Sequence, residues 1–303
     1  MDYYVRSVFT EDKFNVVESN GKYIISTDEK HCLTITITQN EIHVNELEKC
    51  RYRGTELLFL VEELAKIMDI PEITLSDGSN IKNKCDTFIG LTEIKLLTKG
   101  ESWYNSLGYV STNYEQEKRH NLTITKMPFI KTMELVANKL EKQFIQNHNQ
   151  EDMNRRLSRF QQKLLDLIEK ETPTRGELRA IEITTRNIQR LQENLLDYNR
   201  FIENNILKIQ KNIEDLVIEA SELLPDISME TGEYINELYK LMNMFHDSDE
   251  ESCNKYRIFS RLLFDISKVL MYDPSLRKMI KKTGGKVKTI KKKQITRRRR
   301  FYN

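Results

Sequence analysis

Long apolar runs are missing from this chain. No window approaches the roughly 18 consecutive apolar residues of a membrane-spanning helix, so no helical span is expected. The start, Met1-Asp-Tyr-Tyr-Val-Arg6, lacks the basic flank and apolar stretch of a secretory leader, and an intracellular protein is expected. Cysteine is sparse: Cys32, Cys50, Cys85 and Cys253 show no C-x-x-C spacing, which argues against a zinc site. Reduced structural thiols are the expectation, and the sequon Asn121-Leu-Thr123 then has no consequence. Glycine is almost absent from one long region, with only Gly176 and Gly232 between Tyr109 and Thr283. Acidic residues are absent from Pro274 to Asn303, a stretch with 13 Lys and Arg; the chain carries +2 in all, so the other 273 residues carry −11. An acidic body with a basic tail says more about partners than the net charge does.

What is present begins with period-2 alternation. Lys22–Ser26, Cys32–Thr38 and Glu41–Val44 alternate as half-buried strands do, with Asn20-Gly21 and Gln39-Asn40 as turns between them, so an antiparallel meander is expected. His31 and His43 stand alone at strand ends and read as surface or packing residues more readily than as ligands or bases. Arg51-Tyr-Arg-Gly-Thr-Glu56 then opens a helix to Met68, whose apolar positions 57, 60, 61, 64, 67 and 68 trace one face. A strand follows at Glu72–Asp77, then a helical stretch at about 87–98. Next comes Trp103-Tyr104-x-x-Leu107-Gly108-Tyr109, an amphipathic turn closed by a glycine able to take positive φ. Asn121–Thr125 reads as a last strand.

In that order, and above all in the Trp-Tyr-x-x-Leu-Gly-Tyr motif, residues 20–125 resemble the acyl-CoA-binding half of the GCN5-related N-acetyltransferase (GNAT) family. The resemblance implies an α+β fold: a GNAT-like mixed sheet with helices. It further implies that Arg51, Arg53, Gly54 and Thr55 hold the CoA pyrophosphate at a helix N-terminus. The next strand would splay from its neighbour to admit the pantetheine arm, and Tyr104 would be the acid that protonates the leaving thiolate. Three features depart from the family. Glu56 stands where it has glycine or alanine, and unit charges about 4–6 Å apart repel by a few kcal/mol at intermediate dielectric. The 87–98 helix is an insertion. No carboxylate or histidine is placed by motif as a base.

Prolines at 128, 173, 225 and 274 cut the glycine-poor region into helical blocks. The first spans about 129–171, weakened at Asn147-His-Asn-Gln150, and the last holds helices at about 232–245 and 253–272 around the acidic linker 246–252, a solvated connector. In the middle block, 175–224, Ile181, Ile188, Leu195, Ile202, Ile209, Leu216 and Leu223 recur every seven residues. Such a seam needs a partner helix. An intrachain hairpin with Leu157, Phe160, Leu164, Leu167 and Ile168 is the simpler solution, and homo-oligomerisation through 181–223 the alternative.

The tail, with Lys291, Lys292, Lys293, Arg297, Arg298, Arg299 and Arg300, cannot fold alone and suits nucleic acid or another acidic surface; nuclear targeting fits it as well. Its Gly-Gly-Lys pattern is similar to the C-terminal ends of proteins from large nucleocytoplasmic DNA viruses, which implies host cytoplasm, nucleus or virion as the location. The expected organisation is 1–127 GNAT-like, 128–273 helical and 274–303 a disordered basic tail. The expected function is a degenerate GNAT-like binding or structural module with no bound cofactor. The alternatives are an active acetyl-CoA-dependent N-acetyltransferase and a coiled-coil assembly protein.

Overall fold

A computed structural model describes residues 1–28, 30–83, 85–148, 151–169, 174–245 and 249–281. The chain is α+β and divides into two units, which do not follow the sequence in simple order. One contains Met1–Asp77, Leu107–Thr112 and the chain from Asp273 onward; the other contains Gly78–Ser106 and Asn113–Tyr272.

The first unit is built on a sheet. Helix α1 (Asp2–Val8) precedes strands β1 (Asn15–Ser19), β2 (Lys22–Ser26), β3 (His31–Ile37) and β4 (Glu41–Leu47), and helix α2 (Gly54–Ile67) leads to β5 (Glu72–Ser76). Strands β1 to β4 form the expected antiparallel meander, and β5 lies parallel to β4. Asn20 (φ 52°) and Gly21 (φ 76°) make the β1–β2 turn, the left-handed pair that suits strand twist. Alternation sends Tyr23, Ile25, Ile35, Ile42, Val44, Ile73 and Leu75 into the core. Leu57, Val61, Leu64 and Ala65 form the buried face of α2, which packs on β4 and β5 with α1 beside it.

The sixth strand comes from the far end of the chain. Ser275–Met279 pairs antiparallel with β5, from Glu72↔Met279 to Ser76↔Ser275. It is called β8 here, because β6 (Asn80–Lys82) and β7 (Phe88–Gly90) precede it as a small hairpin. The basic tail therefore starts later than position 274: Leu276 is buried, and Arg277 exchanges backbone hydrogen bonds with Val110. A charge count sees two cations at 277–278, whereas the unsatisfied edge of β5 sees five residues that can complete its ladder.

The second unit is helical. After β6 and β7 come α3 (Leu91–Lys99), the single turn α4 (Trp103–Ser106), α5 (Tyr114–Lys126), α6 (Phe129–Asn147), α7 (Glu151–Ile168), α8 (Arg175–Leu223), α9 (Thr231–Met244) and α10 (Glu250–Ser267). Thr174 accepts from Glu177 N–H while Glu177 accepts from Thr174 N–H, a reciprocal box that starts α8. At 49 residues α8 is roughly 73 Å long. Within the chain α8 packs on α6 and α7; Ile188 and Leu216 of the heptad seam are buried and its other five positions are half-buried. The core of this unit gathers Phe129, Tyr234, Leu238, Phe259, Leu262 and Ile266, with Phe129 and Tyr234 stacked at 4.0 Å.

Two further expectations are overturned. Asn121–Thr125 is helical, part of the C-terminal half of α5. Its β-branched threonines fit because each hydroxyl donates one turn back, Thr123 to Arg119 O at 3.1 Å and Thr125 to Asn121 O at 2.9 Å. The buried set Glu117, Asn121 and Ile124 has helical spacing, and the Asn121 amide bonds both N–H and C=O of Met271. The cysteines are not free thiols either: Cys32 pairs with Cys50, and Cys85 with Cys253, leaving no free cysteine among the described residues. Their Cα separations of 5.3 and 5.4 Å fall in the range a disulfide spans. Sequence spacing does not reveal that proximity, and oxidised pairs of this kind persist in oxidising surroundings. No helix among the described residues is long and apolar enough to cross a membrane.

Candidate functional site

Topology brings three features to one end of the sheet. Because β4 and β5 are parallel and α2 returns between them, the C-terminal ends of both strands and the N-terminus of α2 lie together. The β4–β5 pairing covers Glu41–Val44 and Glu72–Leu75 and then stops. Beyond it β4 stays with β3, Asn45 being the extra residue where the register passes from Ile35↔Val44 to Thr34↔Glu46, and β5 stays with β8. The two strands therefore lose their pairing at the end where a helix N-terminus offers backbone N–H groups.

That helix end is already furnished with an anion. Arg53 is the N-cap in extended conformation (φ −73°, ψ 147°), and Glu56 Oε2 accepts its backbone N–H at 2.9 Å. A carboxylate in the first turn is stabilised by the helix dipole. Arg51, Arg53, Thr55 and Glu56 are exposed and Gly54 is half-buried, so the structure does bring these cofactor-binding candidates together. The Cys32–Cys50 bond fastens the approach to this corner onto the start of β3.

Arg51 also faces a polar cleft of about 520 Å³, lined by Arg6, Glu11, Asp12, Lys13 and Tyr52 among others. Arg6 is engaged by Asp2 at 2.9 Å and Glu11 at 3.7 Å, whereas Arg51 and Lys13 have no ion-pair partner among the described residues. Sequence reasoning missed this cleft because its wall combines the α1–β1 connection with the β4–α2 loop.

The aromatic motif is divided by the unit boundary, with Trp103 and Tyr104 in the helical unit and Leu107, Gly108 and Tyr109 in the sheet unit. Ser102 and Asn105 close the α4 turn reciprocally, through Ser102 N–H to Asn105 Oδ1 at 2.8 Å and Asn105 N–H to Ser102 Oγ at 3.3 Å. Tyr104 is only 8 % exposed and meets Trp103 edge-on at 4.8 Å. Gly108 has φ +88°, and the Lys278 side chain passes over it. Lys278 Nζ donates to Glu62 at 2.7 Å and to Leu107 O at 2.8 Å, and lies 5.2 Å from the centre of the Tyr109 ring. Tyr109, fully buried, donates to Glu62 at 3.4 Å. In the sheet unit, then, the motif builds the seat of β8.

His31 and His43 do not form a relay. His43 Nδ1 and Thr74 Oγ1 are 2.8 Å apart and Thr74 donates to Glu41, which puts the hydroxyl rather than the imidazole in the middle. His31 reaches Thr34, but that residue is 1 % exposed, closed to any substrate. In the helical unit Glu101 accepts from Tyr114 and, at 2.8 Å, from Lys118. Burial pushes its carboxyl up, but these two donors and the ammonium charge outweigh burial and hold it below the usual range. No group of three or more metal-ligating side chains exists among the described residues. The seven tail residues of interest, Lys291–Lys293 and Arg297–Arg300, lie outside the described residues. Compared with known proteins, the chain matches no family model, no curated protein and no solved structure.

Proposed function

We propose that the sheet unit is a GNAT-like module that works as a binding or structural scaffold without acyl transfer, and that the polycationic tail engages nucleic acid. The observation that carries the first half is the Glu56 carboxylate, bonded to Arg53 N–H where a phosphate would have to sit. The parallel β4–α2–β5 crossover, with pairing that ends early, supports the GNAT-like reading of the architecture. A ligand at a hundredfold its Kd stabilises its binding partner by about 2.7 kcal/mol, enough to move a thermal midpoint by several degrees. The wild-type chain is expected to show no shift with millimolar acetyl-CoA. Glu56→Gly removes the competing charge, and a shift in that variant alone supports the reading. A shift of the wild-type chain, with acetyl transfer to an amine, would overturn it.

The second reading, an acetyl-CoA-dependent N-acetyltransferase, is favoured by the unpaired Arg51 beside a 520 Å³ cleft. The tail's role is tested in the full chain by exchanging Lys291–Lys293 and Arg297–Arg300 for glutamine. Retention on DNA or RNA at low salt is expected to fall steeply, because each lost phosphate contact removes a counterion-release contribution.

A further inference from the structure

Where α7 packs on α8, each helix turns one face to a shared groove of about 530 Å³. From α7 come Arg156, Arg159 and Phe160, at the i, i+3, i+4 spacing of a single helical face. From α8 come Asn187, Arg190, Leu191 and Asn194, at i, i+3, i+4, i+7. Two packed helices stabilise themselves best with opposite charges across their flanks. Here both sides carry guanidinium groups, and among the described residues the lining contains no carboxylate. Arg159 and Arg190 are exposed and have no hydrogen-bond or ion-pair partner among the described residues. Elsewhere on these helices arginines do find carboxylates on their own helix, Arg155 with Glu151 and Arg186 with Glu182. Arg159 and Arg190 are therefore set apart, facing a half-buried ring, an aliphatic floor and two amides.

We infer that this groove binds single-stranded nucleic acid. Guanidinium groups on both rims offer positive charge to a phosphodiester strand, Phe160 offers a face for one base, and Asn187 and Asn194 offer donors and acceptors for base edges. This site is separate in sequence from the tail, and its binding does not depend on the sheet unit's chemistry.

The test uses the full chain and a fluorescent 20-nucleotide single strand, with affinity measured between 50 and 300 mM salt. Four proteins are compared: wild type, Arg159→Gln with Arg190→Gln, the tail with Lys291–Lys293 and Arg297–Arg300 changed to glutamine, and both sets together. Exposed Arg159 and Arg190 leave the fold intact on substitution, which an unchanged thermal midpoint verifies. In the tail-neutralised background, removing both groove arginines is expected to weaken binding about tenfold or more at 50 mM salt. The slope of log affinity against log salt should fall by about 1.4, since a single strand gives roughly 0.7 for each phosphate contact. Phe160→Leu should cost between about five- and a hundredfold with the salt slope unchanged, as expected for loss of a stacked base.

If the tail-neutralised chain binds nothing at 50 mM salt, or binds equally with and without the groove arginines, the groove inference is wrong, and the first of these outcomes supports the tail reading. If the tail substitutions change nothing while the groove substitutions abolish binding, the tail reading fails and the groove is supported. Groove substitutions that release polyglutamate, or dissolve a dimer in sedimentation, while leaving oligonucleotide affinity unchanged would assign the groove to an acidic protein surface instead.

Discussion

Breaking the Cys85–Cys253 bond should lower the melting temperature of the helical unit by about 10–20 °C. Cys85 lies in the loop between β6 and β7, Cys253 in the first turn of α10, and 168 residues separate them. Closing a loop of that length in the unfolded chain removes conformational entropy worth about 5 kcal/mol in the chain-entropy treatment. The unit has roughly 190 residues, a size at which 1 kcal/mol moves the midpoint by about 2–4 °C. The Cys32–Cys50 bond closes a loop of 18 and contributes about 3 kcal/mol to the sheet unit on the same reasoning. Scanning calorimetry on the full chain, with and without a phosphine reductant, reads the combined loss, and Cys85→Ser with Cys253→Ser isolates the larger loop. Peptide mapping without reduction should recover both linked pairs. A midpoint that moves by less than about 2 °C after complete reduction, or alkylation of Cys85 in the untreated native protein, would refute the reasoning.

Other outcomes follow from single positions. Gly232→Ala should destabilise the helical unit by about 1–3 kcal/mol, read from the urea midpoint, because its Cβ would stand 2.5 Å from Thr125 Cγ2 and 2.8 Å from the Leu97 carbonyl oxygen. Gly108→Ala should cost the sheet unit about 1–2 kcal/mol through its φ of +88°, whereas the same change at Gly78, which has open space around it, should cost less than half as much. Glu101, whose folded carboxyl titrates below its unfolded value, contributes stability that is present above the ordinary carboxylate range and lost as pH falls through the folded value. Glu101→Gln should therefore flatten the acid limb of stability against pH; an unaltered limb would show that Lys118 and Tyr114 do not favour the charged form.

Legibility differed sharply along the chain. The β2, β3 and β4 strands, helix α2 and strand β5 lie close to where alternation and helical spacing set them, because each buries one face and the period of that face is written locally. The helical blocks also fall between the prolines as expected, since an interior proline breaks a helix wherever it occurs. At the candidate site the grouping of Arg51, Arg53, Gly54 and Glu56 was legible, being one contiguous corner. The cleft beside Arg51, the arginine groove between α7 and α8, and the seat that Gly108 and Tyr109 make for Lys278 were not, because each joins residues distant in sequence.

The sequence by itself determined the alternating strands, the amphipathic helices, the seven-residue seam and the concentration of positive charge at one end, all properties of neighbouring residues. Tertiary structure alone decided that Asn121–Thr125 is helical, that Ser275–Met279 closes the sheet, that α8 lies against α6 and α7, and that the four cysteines are paired. Those outcomes depend on which distant group supplies the missing hydrogen bond, apolar face or thiol, and proximity of that kind arises only when the whole chain has packed.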